Sequence, residues 1–167
     1  MACRCRNEFG GDKRVAKEAT EFGGEERFAA SPDRVFALLT DLDAMAGTIP
    51  DLVSAEKSAD GRTLKCVVRP GFSFLRGTMR LAISLGDCRQ PKQATMKVDA
   101  QGIGLAMGVV SELNILSDGN GSRLEWTARI QELKGLISAV SPGLIRAAAD
   151  QVIRHAWSQV RKKLDEG

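Results

Sequence analysis

The spacing of hydrophobic and polar residues changes in blocks along the chain, and each block predicts an element. Phe22, Gly24, Glu26 and Phe28 share one parity, which predicts a first strand with Gly23-Gly24 as a bulge. Ser31-Pro32-Asp33 follows, with serine suited to the N-cap, proline to the first helical position and aspartate to the first turn. Val35, Phe36, Leu38 and Leu39 continue at helical spacing, so a short helix is expected to about Asp41. Asp43 can cap a second short helix, from Ala44 to about Thr48, before Pro50 stops it.

Alternating runs separated by turn residues come next. Positions 53–58 and 63–69 flank Asp60-Gly61, a strong hairpin signal, and Pro70-Gly71 ends the second run. Met79, Leu81, Ile83 and Leu85 oppose Thr78, Arg80 and Ser84, and Met96 and Val98 oppose Thr95, Lys97 and Asp99. After Gly102-Ile103-Gly104, the residues Leu105, Met107, Val109, Leu113 and Ile115 fall on one side, with Glu112 and Asn114 on the other. Asp118-Gly119-Asn120-Gly121 turns the chain into a last strand that sets Leu124, Trp126, Ala128 and Ile130 against Arg123, Glu125, Thr127 and Arg129. A period of two with one polar face predicts an antiparallel sheet that is wet on one side.

Ser141-Pro142 repeats the cap signature and opens a helix to about Leu164. Ile145, Ala148, Val152, Ala156 and Val160 make its apolar stripe, widened by Leu144, Ala149, Ile153 and Trp157. Arg161, Lys162 and Lys163 complement the negative end of the helix dipole; a membrane-surface patch is their alternative use. One sheet with one apolar face, and one long helix to cover it, require the sheet to curl around the helix. The class is α+β.

Composition narrows the function. Hydrophobic residues make up 43% of the 167 positions and charged residues 27%, which suits one globular domain. Residues 1–17 hold five basic residues and two acids, have no apolar core of a signal peptide, and are expected to be a disordered basic tail. The remaining domain, 18–167, balances 19 basic against 19 acidic residues, which argues against a phosphate-backbone binder. Tyrosine is absent and aromatics are 5%, so nucleic-acid stacking platforms are missing as well. The uncharged run 135–145 is broken by Ser141-Pro142-Gly143 and is far short of a membrane span. Cys3, Cys5, Cys66 and Cys88 lack the paired spacing of a zinc site, and reduced cysteines in the cytoplasm are the default. His155 has no partner for acid–base chemistry and reads as a half-exposed structural residue. No catalytic residue, cofactor or metal site is expected.

Several runs carry a resemblance: Phe28-Ala29-Ala30-Ser31-Pro32-Asp33-Arg34-Val35-Phe36 with Leu39-Thr40-Asp41, then Thr48-Ile49-Pro50, the stretch 72–81, and Gly135-Leu136-Ile137. Over 19–164 the chain resembles the CoxG-like family of carbon monoxide dehydrogenase proteins, within the START/Bet v 1-like (SRPBCC) superfamily. Asp51 stands where that family usually has glycine after isoleucine-proline. The resemblance implies a helix-grip fold, with a curved sheet of about seven strands around the C-terminal helix and two short helices after the first strand. It also implies a molybdenum-containing redox enzyme as partner.

The candidate site is a cavity between sheet and helix. Met79, Leu81, Met96, Met107, Val109 and Trp126 share the inner parity, and methionine adapts to flexible apolar ligands, although ordinary core filling uses the same residues. Leu136, Val140, Leu144 and Ala148 offer the facing side, with Ala148 leaving space. Phe72 and Phe74 either cap the cavity mouth or plug the core. Arg69, Arg76 and Arg80 sit near that loop, at a pocket rim or on a solvated face. Glu26 and Glu132 fall on apolar parities near strand ends, as polar groups within the cavity or exposed ends. The reading is a non-enzymatic domain that binds a hydrophobic, lipid- or quinone-like molecule, placed in the cytoplasm or peripherally at the inner membrane face. The rivals are an enzyme of the polyketide cyclase/dehydratase type on the same fold and a surface-acting interaction protein.

Overall fold

A computed structural model describes residues 21–71, 76–135 and 139–167. The tail 1–17 and the candidate residues Phe72, Phe74 and Leu136 lie outside the described residues. The elements run β1 (Glu21–Phe28), α1 (Pro32–Thr40), α2 (Leu42–Ala46), β2 (Leu52–Lys57), β3 (Thr63–Val68), β4 (Met79–Arg89), β5 (Gln93–Gly102), β6 (Leu105–Asp118), β7 (Gly121–Gly135) and α3 (Pro142–Glu166). The seven strands form one antiparallel sheet in the order β1-β7-β6-β5-β4-β3-β2. Strands β2 to β7 follow one another as a meander, and β1 pairs with β7, so β1 and β2 lie at opposite edges. The helix pair spans that gap, and α3 lies in the grip of the sheet.

Both serine caps form as their sequences predict. Ser31 accepts from the Arg34 N–H and Ser141 from the Leu144 N–H, each with proline next in the chain. The α2 cap, in contrast, is Asp41 and not Asp43. Its carboxylate accepts from Asp43 N and Ala44 N, and Asp43 is left to pair with Lys57 on β2. Two aspartates two residues apart offer the same chemistry, and the short link after α1 selects the earlier one.

The expected bulge in β1 is absent. Pairing with β7 runs unbroken from Glu21–Arg129 to Phe28–Ser122. Gly24 serves Trp126 instead: a Cβ there would lie 3.1 to 3.2 Å from the indole ring. Irregularities fall elsewhere. In β7, Gln131 is the extra residue between the pairs Gly108–Glu132 and Val109–Ile130. That insertion reverses parity, so Leu133 packs inward and Glu132 turns out to pair with Lys134. In β2 the register shifts around Val53, which is 54% exposed.

Asp51 adopts φ 55°, the left-handed region that glycine favours and aspartate tolerates better than most residues. The position where the related family carries glycine therefore keeps the glycine-like conformation. Ile103 also has positive φ, 57°, between Gly102 and Gly104. A β-branched residue is strained there, and its packing against the cluster around Met79 and Leu105 offsets the strain.

The core divides into three clusters. Phe28, Val35, Phe36, Leu39, Ile115, Leu124, Val160 and Leu164 join α1, the sheet and the end of α3. Leu42, Met45, Leu64, Cys66 and Ile83 seat α2 on β3 and β4. Val68, Met79, Ala100 and Leu105 close the far end, with Val140 and Ile145 packed on them. The helix is rotated relative to the stripe expected from the sequence. Ile145, Ile153, Trp157, Val160 and Leu164 turn inward, whereas Val152 is 40% and Leu144 42% exposed. The inward set is the same helical face shifted by about one residue.

Candidate functional site

An apolar cavity of about 210 Å³ lies between the sheet and α3. Its floor follows from strand register. Met96, Ser111 and Ala128 are neighbours across β5, β6 and β7, and Leu113 stands beside Trp126. Ile83 on β4 extends this floor, and Leu39, Met45 and the Thr48-Ile49-Pro50 turn wall one side. Ile153, Ala156, Trp157 and Val160 form the roof. Three small side chains create the space: Ser111 and Ala128 adjoin on the floor and Ala156 adds no bulk from above. Larger aliphatic residues at these positions would fill it.

The lining has almost no chemistry. Among the described residues around the cavity, none carries a carboxylate, imidazole, thiol, amine or guanidinium. The Thr48 hydroxyl is engaged, donating to the Met45 carbonyl oxygen at 2.8 Å. Cys66 lies in the neighbouring cluster, and burial pushes its thiol above the usual range, so it stays protonated and weakly nucleophilic at neutral pH. Cys66 and Cys88 are both free thiols. Among the described residues no cluster of histidine, cysteine and carboxylate groups could hold a metal ion. The arrangement suits retention of an apolar molecule.

Of the side chains expected from the sequence, Met96 and Trp126 line this cavity. Met79 and Met107 pack in the far-end cluster with Val140, and Leu81 bridges the second and third clusters. Val109 is half-buried and lies outside the lining, as does Ala148. Leu144 is exposed and outside it. Arg69, Arg76 and Arg80 are exposed, and so is His155. Glu26 faces α3, where its carboxylate pairs with Arg161. Sequence reasoning missed the wall from the two short helices, because their seating on the sheet is a long-range contact. It also missed Ser111, although a small polar residue on the inner parity between Val109 and Leu113 was a visible signal.

No helix among the described residues is long and apolar enough to cross a membrane. In comparisons with solved structures, a conserved protein from Geobacillus kaustophilus superposes with a TM-score of 0.80 at 16% identity, over 87% of this chain and 95% of its own. A START superfamily protein from Mycobacterium smegmatis gives 0.65 at 12%, over 88% and 98%. Ara h 8.0201 gives 0.66 at 12%, over the same shares. Identities this low establish the shared START/Bet v 1-like fold. No curated protein matches the chain in sequence. The profile of CoxG, the G component of carbon monoxide dehydrogenase, matches residues 24–165, from the β1 glycines to the last turn of α3, and the chain belongs to that family.

Proposed function

We propose that the domain holds a hydrophobic, lipid- or quinone-like molecule between sheet and α3 and does no chemistry on it. The observation that carries this reading is a cavity on the gripping face whose lining contains no titratable group. General acid–base or nucleophilic catalysis needs such a group within reach of the substrate. The polyketide cyclase-like reading would require converging polar side chains, and Ser111 alone does not supply them. Membership in the CoxG family supports the second half of the proposal, that the protein is a cytoplasmic carrier or accessory factor for a carbon monoxide dehydrogenase-type enzyme.

Native mass spectrometry of protein purified without detergent should show a retained lipophilic adduct. Ala156→Phe places a ring in the cavity and should abolish binding of a fluorescent fatty acid or quinone analogue. Stability should change little, because the space accepts the ring, whereas a close-packed core would lose about 1–3 kcal/mol on overpacking. A parent protein that binds no lipophile at micromolar concentration, together with a strongly destabilised Ala156→Phe, would overturn the carrier reading.

A further inference from the structure

Two arginines strap α3 to the edge strand β1. Near the start of the helix, Arg146 lies 5.2 Å over the Phe22 ring and donates to the Glu21 carbonyl oxygen at 3.5 Å. Nearer its end, Arg161 pairs with the Glu26 carboxylate and lies 5.6 Å over the Phe28 ring. Between the straps, the inward position of β1 is Gly24, which has no side chain to close the gap. The result is a lateral window of about 260 Å³, rimmed by Glu26, Asp150 and Arg154 and floored by Trp126, Ile153 and Trp157.

The same three floor residues also line the apolar cavity, so window and cavity are separated only by a shared layer of side chains. Neither space alone reaches the roughly 300 Å³ at which ligand pockets begin, but joined they pass it. The shared layer holds an unusual atom. Trp126 Nε1 is buried and has no hydrogen-bond acceptor among the described residues. A phenylalanine would fill much the same space without leaving a donor unpaired, so the indole N–H calls for an acceptor from outside the protein. The charged residues lining the window, Glu26 and Asp150 against Arg146 and Arg154, cancel in formal charge and give an anionic head no net attraction. An uncharged oxygen is also cheaper to desolvate.

We infer that the window between the arginine straps is the route into the cavity, and that Trp126 Nε1 donates to a carbonyl oxygen at one end of an otherwise apolar ligand. The inference rests on the carrier reading and adds the direction and polarity of binding. It is tested on the full chain, labelled with ¹⁵N and titrated with 2-decanone or with decane. The two tryptophans give two indole signals. The Trp126 indole proton should move downfield with the ketone and stay in place with the alkane, and the Gly23 and Gly24 amides should shift with both. Trp126→Phe should keep its affinity for decane and lose about three- to tenfold for 2-decanone.

If neither compound binds, the carrier reading falls and this inference with it. If both bind but the Trp126 indole signal stays still and Trp126→Phe binds the ketone like the parent, only the donor assignment is overturned. If amide shifts fall around Gly102-Ile103-Gly104 and spare Gly23 and Gly24, the window is overturned. The indole and amide shifts do not depend on the folding of a variant, since the parent protein supplies them.

Discussion

Val160 and Leu164, near the end of α3, retain 3% and 7% of their surface, while Leu144 and Val152, nearer its start, keep 42% and 40%. Both halves of the helix face the same sheet, so the difference lies in what else reaches them. Val160 and Leu164 meet α1 through Val35, Phe36 and Leu39, with Leu124 and Ile115 of the sheet beneath. The Arg34 guanidinium, also from α1, donates to the Leu164 carbonyl oxygen at 2.9 Å and satisfies one of the orphan acceptors of the helix end. The earlier half has no helix beside it. It touches the far-end cluster through Ile145 and otherwise borders open space. One half fixes the helix to the domain, and the other leaves the room that the binding reading requires.

The largest break in this comparison should come from the anchored half. Leu164→Ala removes a buried side chain from a crowded cluster, where such truncations cost about 2–5 kcal/mol. Urea unfolding followed by circular dichroism should show a clear fall in midpoint. A midpoint within experimental scatter of the parent would mean that the end of α3 is not an anchor. Arg34→Met should cost less, about 1 kcal/mol, because it deletes one charge-assisted bond at a partly exposed site and keeps the apolar stem. The same unfolding curve tests it, and amide exchange in the last turn of α3 should accelerate.

The strap at Glu26 should matter less again for stability. Its carboxylate is 19% exposed and Arg161 44%, so Glu26→Gln should cost no more than about 1 kcal/mol. Its effect should weaken further in high salt. A loss of several kcal/mol would show that the strap belongs with the anchor.

The strands were readable from alternation because a one-residue slip would turn every inner side chain out, and antiparallel pairing enforces that choice. The serine–proline caps were readable for a local reason, since each cap contacts only its own first turn. The helix rotation was not. Leu144, Ile145, Ala148, Ala149, Val152 and Ile153 occupy a broad apolar arc, and within such an arc the sequence does not select a centre. The choice is made by Trp157 meeting Phe28 at 6.3 Å and Trp126 at 5.9 Å, contacts that join residues distant in sequence. The parity switch at Gln131 had no glycine or proline to announce it. The glycines of β1 announced a bulge that does not exist, because their purpose is the indole ring across the strand.

The smallest expected effect is the sharpest test of the comparison. Leu144→Ser and Val152→Ser remove apolar side chains of the same class as Leu164 and Val160, from the same helix. Because both are already well exposed, each should change stability by no more than about 0.5 kcal/mol. Native-state hydrogen exchange adds the dynamic counterpart. Amides of the earlier half should exchange through local opening, with free energies well below that of global unfolding, whereas those around Val160 should approach the global value. The double variant should leave that gradient in place. A double variant as costly as Leu164→Ala, with uniform protection along α3, would mean that the helix is held equally along its length. The space beneath it would then be closed to any ligand that needs the helix to yield.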